Sequence, residues 1–320
     1  MHIPDGFLDT KTIAAAWALS LLGVGRALFA LRTRMSLRKV PLMGLAAAFI
    51  FVAQMINFPV AGGTSGHLLG AVLAGVLLGP NEAVLVMSVV LVVQCFLFAD
   101  GGVLSLGANI FNMGLVAALA GYAMYRLMAV PLRGERGRFV AAAFAAWFST
   151  VLAAVCCTGE LAWSGTVPWS VAFPAMTGIH ILIGIGEALI TTLVLAAVYA
   201  TRPDLLPFGR EPEAGGRKGR PIAGALIYGS LVVVGLVLFV LPFASRWPDG
   251  LERVAAVFGF RSRSLASPVI RSPLADYRVP GIGSLSWATA LAAFIGAAIV
   301  FGLSFLLART VVPKSKDHAR

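Results

Sequence analysis

The sequence predicts an all-α fold: a polytopic membrane helical bundle of about seven spans, followed by a two-span C-terminal module. Three observations carry this. The 320 residues are 59% hydrophobic and 12% charged, with a mean hydropathy of +0.89, whereas soluble domains carry roughly 25% charged residues. Apolar runs recur at or near the roughly 20 residues needed to cross a hydrocarbon core. The net charge of +11 is spread over short basic clusters between those runs, which is a topology pattern and not a basic face. Nucleic acid is thereby excluded as a partner, and membrane lipid is expected.

The chain begins with Met1-His2-Ile3-Pro4-Asp5-Gly6-Phe7-Leu8-Asp9, too polar and too short for a span. An unblocked Met1 followed by His2 offers the α-amine, the His2 amide and the imidazole Nδ1. Amine and amide close a five-membered chelate ring on a metal, and amide and Nδ1 close a six-membered one. A deprotonated amide is a strong in-plane donor, which suits square-planar Ni(II) or Cu(II) and leaves one position for a further nitrogen. A frayed terminus is the competing reading. A cleaved signal peptide needs a basic n-region; here Asp5 and Asp9 stand against a single Lys11, so the first span is expected to be retained.

Apolar stretches fall near 12–31, 41–59, 67–79, 82–99, 107–128, 139–163, 174–200, 221–245 and 286–308. Basic clusters follow the first (Arg32, Arg34, Arg38, Lys39), fifth (Arg126, Arg133, Arg136, Arg138), seventh and ninth. The loops after the second, fourth and sixth hold no Lys or Arg. With positive clusters inside, the N-terminus lies outside and the C-terminus in the cytoplasm. The basic 246–285 loop is assigned outside against this trend, because the weighting weakens in longer loops.

The loop after the second stretch, Asn57 to His67, contains Gly62, Gly63, Thr64, Ser65 and Gly66. Glycines let backbone pass close to a ligand, and His67 is expected to open the short third helix on the N-terminal side of the membrane. It is the natural fourth nitrogen; a structural hydrogen-bonding histidine is the alternative. The outward turn around Asp100-Gly101-Gly102 leads into a span with Asn109 and Asn112, three apart and so on one helical face. Those amides either join helices or support a site, and Asp100 can cap a helix or orient a ligand histidine. His180 and Glu187 are ionisable groups inside one span; His180 is read as supporting or packing, Glu187 as packing. Cys95, Cys156 and Cys157 lie in apolar runs without redox or zinc spacing and read as small hydrophobes. Residues 203–220 are rich in Gly, Pro and charge and mark a boundary. The acids beyond it, Asp249, Glu252 and Asp276, are read as structural in preference to a metal relay.

Several motifs together resemble one family. Met1 to Leu8, the Asn57-to-Gly70 stretch and the 100–114 stretch look like the substrate-specific membrane component of cobalt/nickel energy-coupling-factor (ECF) transporters, the CbiM/NikM family. The likeness covers roughly residues 1–205. Pro248-Asp249-Gly250-Leu251-Glu252 with Ser272-Pro273-Leu274-Ala275-Asp276-Tyr277 resembles the PDGLE (NikN-type) accessory module. The expected organisation is a metal-binding membrane domain over 1–205, a cytoplasmic linker over 206–220 and a PDGLE module over 221–320, whose implied role is to help load metal. The resemblance implies metal ligation by Met1, His2 and His67; Ser65, Asp100, Asn109, Asn112 and His180 are the supporting candidates.

The expected function is therefore capture and import of Ni2+ or Co2+ as transported substrate, nickel favoured, with no organic cofactor. No G-x-x-x-x-G-K-[ST] phosphate loop is present, so the chain is not expected to be an enzyme. The resemblance implies that ATP hydrolysis falls to ABC-type ATPase subunits acting through a transmembrane coupling subunit, in a bacterial or archaeal plasma membrane. The rival readings are a proton-coupled secondary transporter using His180 and Glu187, and a membrane enzyme or scaffold.

Overall fold

A computed structural model describes residues 1–208, 221–265 and 269–313. Helices follow the apolar stretches closely: α1 (Thr10–Leu31), α2 (Lys39–Met55), α3 (Ala71–Leu78), α4 (Pro80–Phe98), α5 (Leu106–Asn109) running through a π-helical segment into α6 (Gly121–Ala129), α7 (Gly134–Trp163) and α8 (Trp169–Thr201). Beyond the linker come α9 (Ile222–Gly235), the short α10 (Gly250–Val257) and α11 (Leu285–Val311). Among the described residues, seven helical segments are long and apolar enough to cross a membrane; α2, at 17 residues, falls just short. The chain is a multi-pass membrane protein.

The short third segment is real and differs in one detail from expectation. Gly70 at φ +81° and Gly79 at φ +117° bound α3, and Pro80 starts α4 at once. Positive φ is open to glycine without the Cβ penalty, so eight residues are fitted between two sharp turns. Nearly all of α3 is buried, as irregular backbone at membrane depth requires. His67 does not open this helix. It lies in the extended lead-in four residues earlier, because Gly70 sets the helix start.

The C-terminal segments pack on the first domain. Glycines decide how closely: a Cβ on Gly44 of α2 would sit 3.0 Å from the Phe301 backbone oxygen of α11, and one on Gly296 of α11 would sit 2.2 Å from Phe51 Cζ. Close backbone approach through small residues is how helices adhere where no hydrophobic force separates lipid from protein. At one end of the bundle, Lys39 bridges the Leu78 carbonyl and Glu82, while Arg202 and Arg38 both pair with Asp204. At the opposite end the polar N-terminal segment, the 56–70 loop, the turn after α4 and the segments 244–265 and 269–284 meet.

Candidate metal centre

The first nine residues form an ordered hook. Ile3 is fully buried, its N–H donates to Asn109 Oδ1 at 2.8 Å, and its carbonyl accepts from Asn109 Nδ2 at 3.1 Å and from the Gly102 N–H at 2.9 Å. Two residues on, the Asp5 carboxylate accepts the successive backbone N–H groups of Val103, Leu104 and Ser105 at 2.9–3.1 Å. Consecutive amides converging on one anion form a backbone nest. Gly102 is obligatory, since a Cβ there would lie 2.0 Å from Asp5 Oδ1. Asp9 then caps α1 by accepting from the Thr12 N–H at 2.9 Å.

The second wall is the 56–70 loop. It folds as a two-strand hairpin, β1 (Phe58–Val60) antiparallel to β2 (Thr64–Gly66), turned by Gly62 and Gly63 at positive φ. Ser65 donates its hydroxyl to the Trp247 carbonyl at 2.7 Å and its N–H to the Pro248 carbonyl at 2.9 Å, which ties the hairpin to the C-terminal module. Beyond His67, the buried Glu187 carboxylate of α8 accepts the N–H groups of Leu69 (2.5 Å) and Gly70 (2.8 Å). His67 is thus held from both sides.

These two pieces bring the nitrogens together. The Met1 amine is 3.3 Å from His67 Nε2. His67 Nδ1 lies 3.0 Å from the Leu68 carbonyl, which can only accept, so Nδ1 carries the proton and Nε2 presents a lone pair toward the amine. The His2 and His67 ring centroids are 5.6 Å apart. His2 Nδ1 is buried without a hydrogen-bond partner; Asp100 Oδ1 lies 3.4 Å away, close enough for charge attraction but outside hydrogen-bonding geometry. The Asp100 carboxylate accepts from the Tyr277 hydroxyl at 2.5 Å, and Tyr277 stacks on Phe98. No cluster of three or more His, Cys, Asp or Glu side chains is placed to hold a metal among the described residues. The side chains brought together here are two imidazoles, His2 and His67, with the Met1 amine beside them.

The electrostatics separate the donors. Burial lowers the proton affinity of His67, the nearby ammonium and His2 add to the effect, and its pKa falls to about 3. Burial likewise lowers that of His2, against an opposing pull from Asp100. Both imidazoles are neutral near pH 7. Burial also works against charge on the Met1 amine, but the Asp249 carboxylate outweighs it, and the amine pKa is raised. Asp249 Oδ2 is 2.5 Å from that amine. Although burial favours its neutral form, the ammonium beside it and the Glu252 N–H hold Asp249 well below the usual carboxylate range.

The placement of the sequence candidates is uneven. Met1, His2 and His67 converge, with Asp100 beside His2, Asn109 clamping the hook and Ser65 holding the hairpin. Asn112 does not join Asn109. The helix widens to π geometry from Ile110, and Asn112 Nδ2 donates to Glu160 Oε2 at 2.7 Å. His180 is buried in α8 with Nδ1 on the Met176 carbonyl at 2.7 Å, and its ring packs under Gly250. Sequence reasoning gave Asp5 and Tyr277 no role, read Glu187 as packing or, in the rival transporter, as a proton-coupling group, and set Asp249 aside as structural. Asp249 is indeed structural: it forms a capping box on α10 with Glu252. The D-x-x-E spacing made that much legible. The cap engages Oδ1 and leaves Oδ2 for the amine.

Two family models match the chain. Residues 2–205 match the family described as the cobalt uptake substrate-specific transmembrane region, CbiM, and residues 223–312 match the PDGLE domain. An Archaeoglobus fulgidus chain provisionally named a fused nickel transport protein NikMN is 37% identical over 97% of this chain and 98% of its own length. The fused nickel transport protein NikMN of Rhodobacter capsulatus is 33% identical, over 85% of this chain and 82% of its own. A Geobacter sulfurreducens protein named cobalt transport protein CbiM is 28% identical over 86% and 83%. A crystal structure of a truncated transition metal transporter, 34% identical, superposes with a TM-score of 0.57 and covers 62% of this chain and 99% of its own.

Proposed function

Because the chain belongs to the CbiM family of cobalt uptake substrate-specific transmembrane regions and carries a C-terminal PDGLE domain, we propose that it is the substrate-binding component of an ATP-driven ECF-type importer of Ni2+ or Co2+. The observation that carries this reading is the convergence of three nitrogens: the Met1 amine 3.3 Å from the lone pair of His67 Nε2, and beside them a buried His2 Nδ1 with no hydrogen-bond partner. Loss of one proton from the amine and one from the His2 amide gives four nitrogen donors in chelate geometry. The plane favours Ni(II), and relatives named for both metals keep Co2+ within the substrate class.

Within this proposal Asn109, Ser65 and Asp100 position the donors, while Asn112 and His180 act at a distance from them. Domain limits are 1–205 and 221–320 around a linker at 206–220. The basic clusters support an orientation with the N-terminus and metal site outside, and the bacterial and archaeal relatives support a bacterial or archaeal plasma membrane. Energy comes from a transmembrane coupling subunit and cytoplasmic ABC-type ATPases. The rival proton-coupled transporter is disfavoured by geometry, because both Glu187 oxygens are committed to backbone amides and His180 to a carbonyl.

The test is metal analysis of protein purified with Met1 unblocked, beside a variant with one glycine placed before Met1. The expected result is one Ni2+ with a square-planar absorption band in the first and none in the second. Equal metal content in both would overturn the nitrogen-plane reading.

A further inference from the structure

A polar cavity of about 490 Å³ opens between the first domain and the C-terminal module, directly beside the nitrogen set. A water occupies about 30 Å³ in the liquid, so a divalent ion with six waters, on the order of 200 Å³, fits with room to spare. Four carboxylates line it (Asp100, Asp249, Glu252 and Asp276) against two guanidiniums (Arg246 and Arg278). Carboxylates alone would say little, since such clusters are often only solvated. Two further observations point to a cation. His2 lines the same cavity with a side chain only 7% exposed and an Nδ1 that has no hydrogen-bond partner. Asp249 also lines the cavity, and its Oδ2 already holds a cationic group, the Met1 ammonium, at 2.5 Å.

Resting on the nitrogen-site reading above, we propose that this cavity is the loading chamber and that Asp249 is the transit ligand, a carboxylate of the C-terminal module that receives the hydrated ion and hands it to the nitrogens. The handover is a ligand exchange. The ion loses water to Asp249 Oδ2, then carboxylate and remaining waters are displaced as amine, amide and imidazoles bind. The ammonium proton and the amide proton leave to water in the chamber. Asp249 suits transit in preference to residence. Its Oδ1 is engaged in the α10 cap, which fixes the carboxylate in the cavity wall, and a hard oxygen donor holds late divalent metals less firmly than nitrogen does. Nor does Asp249 form a standing three-side-chain site with His2 and His67 among the described residues. A covalently attached C-terminal module thus acquires a chemical task in loading.

The test is stopped-flow Ni2+ binding to the full chain in lipid nanodiscs. Asp249→Asn preserves the cap acceptor and removes the charge. The association rate is expected to fall at least about tenfold while stoichiometry and the square-planar band persist, and Asp249→Glu is expected to stay within about threefold of wild type. An unchanged rate in Asp249→Asn overturns the proposal, as does loss of the square-planar band in that variant, which would make Asp249 a resident ligand. A second arm does not depend on that fold surviving. Ser245→Cys, on the cavity wall, is labelled with a bulky thiol reagent, with equally treated wild type as control for the native cysteines. Slowed loading after labelling is expected; an unchanged rate with labelling complete overturns the chamber. Wild-type protein lacking the square-planar band would sink the nitrogen-site reading and this proposal together, whereas normal binding with unaffected rates sinks this proposal alone.

Discussion

Asn109→Leu is the substitution that best separates the hook from the ligands it carries. Leucine replaces the amide at similar size, so the helix keeps its packing and loses two hydrogen bonds to Ile3, at 2.8 and 3.1 Å. The consequences for the two groups differ. The Ile3 carbonyl retains the Gly102 N–H, but the buried Ile3 N–H has no other acceptor among the described residues. A buried donor left unsatisfied costs about 1–3 kcal/mol. If that cost falls on the ordered hook, the competent fraction drops, and apparent affinity drops with it; about 2 kcal/mol corresponds to roughly thirtyfold in Kd. His2 and His67 are untouched, so the square-planar band at saturating Ni2+ should remain. The assay is competition titration of Ni2+, paired with hydrogen exchange at the Ile3 amide, which should quicken. Asn112→Leu is the control, because it detaches only Glu160, and its Kd should move by less than about threefold. A folded Asn109→Leu protein with wild-type Kd would refute the claim that the Asn109 clamp presents the ligands.

Further expectations follow from the same geometry. Metal affinity should fall in acid. The amine pKa is raised, so the metal-free site holds that proton near neutrality, and binding must release it together with the amide proton. The His67 pKa of about 3 means its imidazole releases none. The logarithm of apparent affinity should therefore rise by about two per pH unit below the amine pKa and by about one above it; a flat profile across neutral pH would contradict the chelate. His67→Ala should abolish square-planar binding, and retained full stoichiometry with an unchanged band would sink the four-nitrogen arrangement. Glu187→Ala should strand the buried N–H groups of Leu69 and Gly70, lower Tm by an amount equivalent to about 2–4 kcal/mol and weaken Ni2+ binding; unchanged thermal unfolding would remove Glu187 from the support of His67. Gly296→Ala places a methyl 2.2 Å from Phe51 Cζ. It should lower Tm through overpacking worth about 1–3 kcal/mol, read by thermal unfolding in detergent.

How much of this was legible in the chain depends on the range over which each residue acts. Apolar length and breakers act locally, so the helices, the shortness of the third segment and the turn into α4 were readable from the apolar runs and from Gly79-Pro80. The chelating potential of Met1-His2 was readable too, because chelate-ring size is set by adjacent covalent bonds. His67 was placed on the N-terminal side by counting spans, a global argument that needs no contacts. Its position was misjudged by one turn, since a positive-φ glycine three residues later, and not the histidine, sets the helix start. What remained hidden was who satisfies whom. Nothing in the Met1-to-Leu8 motif says what Asp5 does; its task exists only because three consecutive amides arrive from about a hundred residues away. Asn109 and Asn112 look equivalent at three-residue spacing, and a π-helical stretch sends them to different partners.

Asp249 is the instructive case, because its local reading was correct and incomplete. A capping box explains one carboxylate oxygen, and a cap on an exposed helix would end the matter there. In this chain the cap stands against the N-terminus of another module, so the second oxygen meets the one amine that a square-planar metal would need. A free ammonium buried in that position would be costly without a counter-ion, and a free carboxylate equally so. Each therefore stabilises the metal-free state of the other. If the amine is a metal ligand, as proposed, the metal cannot enter without parting this pair, and the C-terminal module then takes part in capture. If that coupling holds, removing the Asp249 charge should slow loading yet raise the intrinsic affinity of the emptied nitrogen set, because the amine then gives up its proton more readily. Slower association together with tighter equilibrium binding at neutral pH is a combination that simple structural damage does not produce, and weaker equilibrium binding in a correctly folded Asp249→Asn protein would refute it.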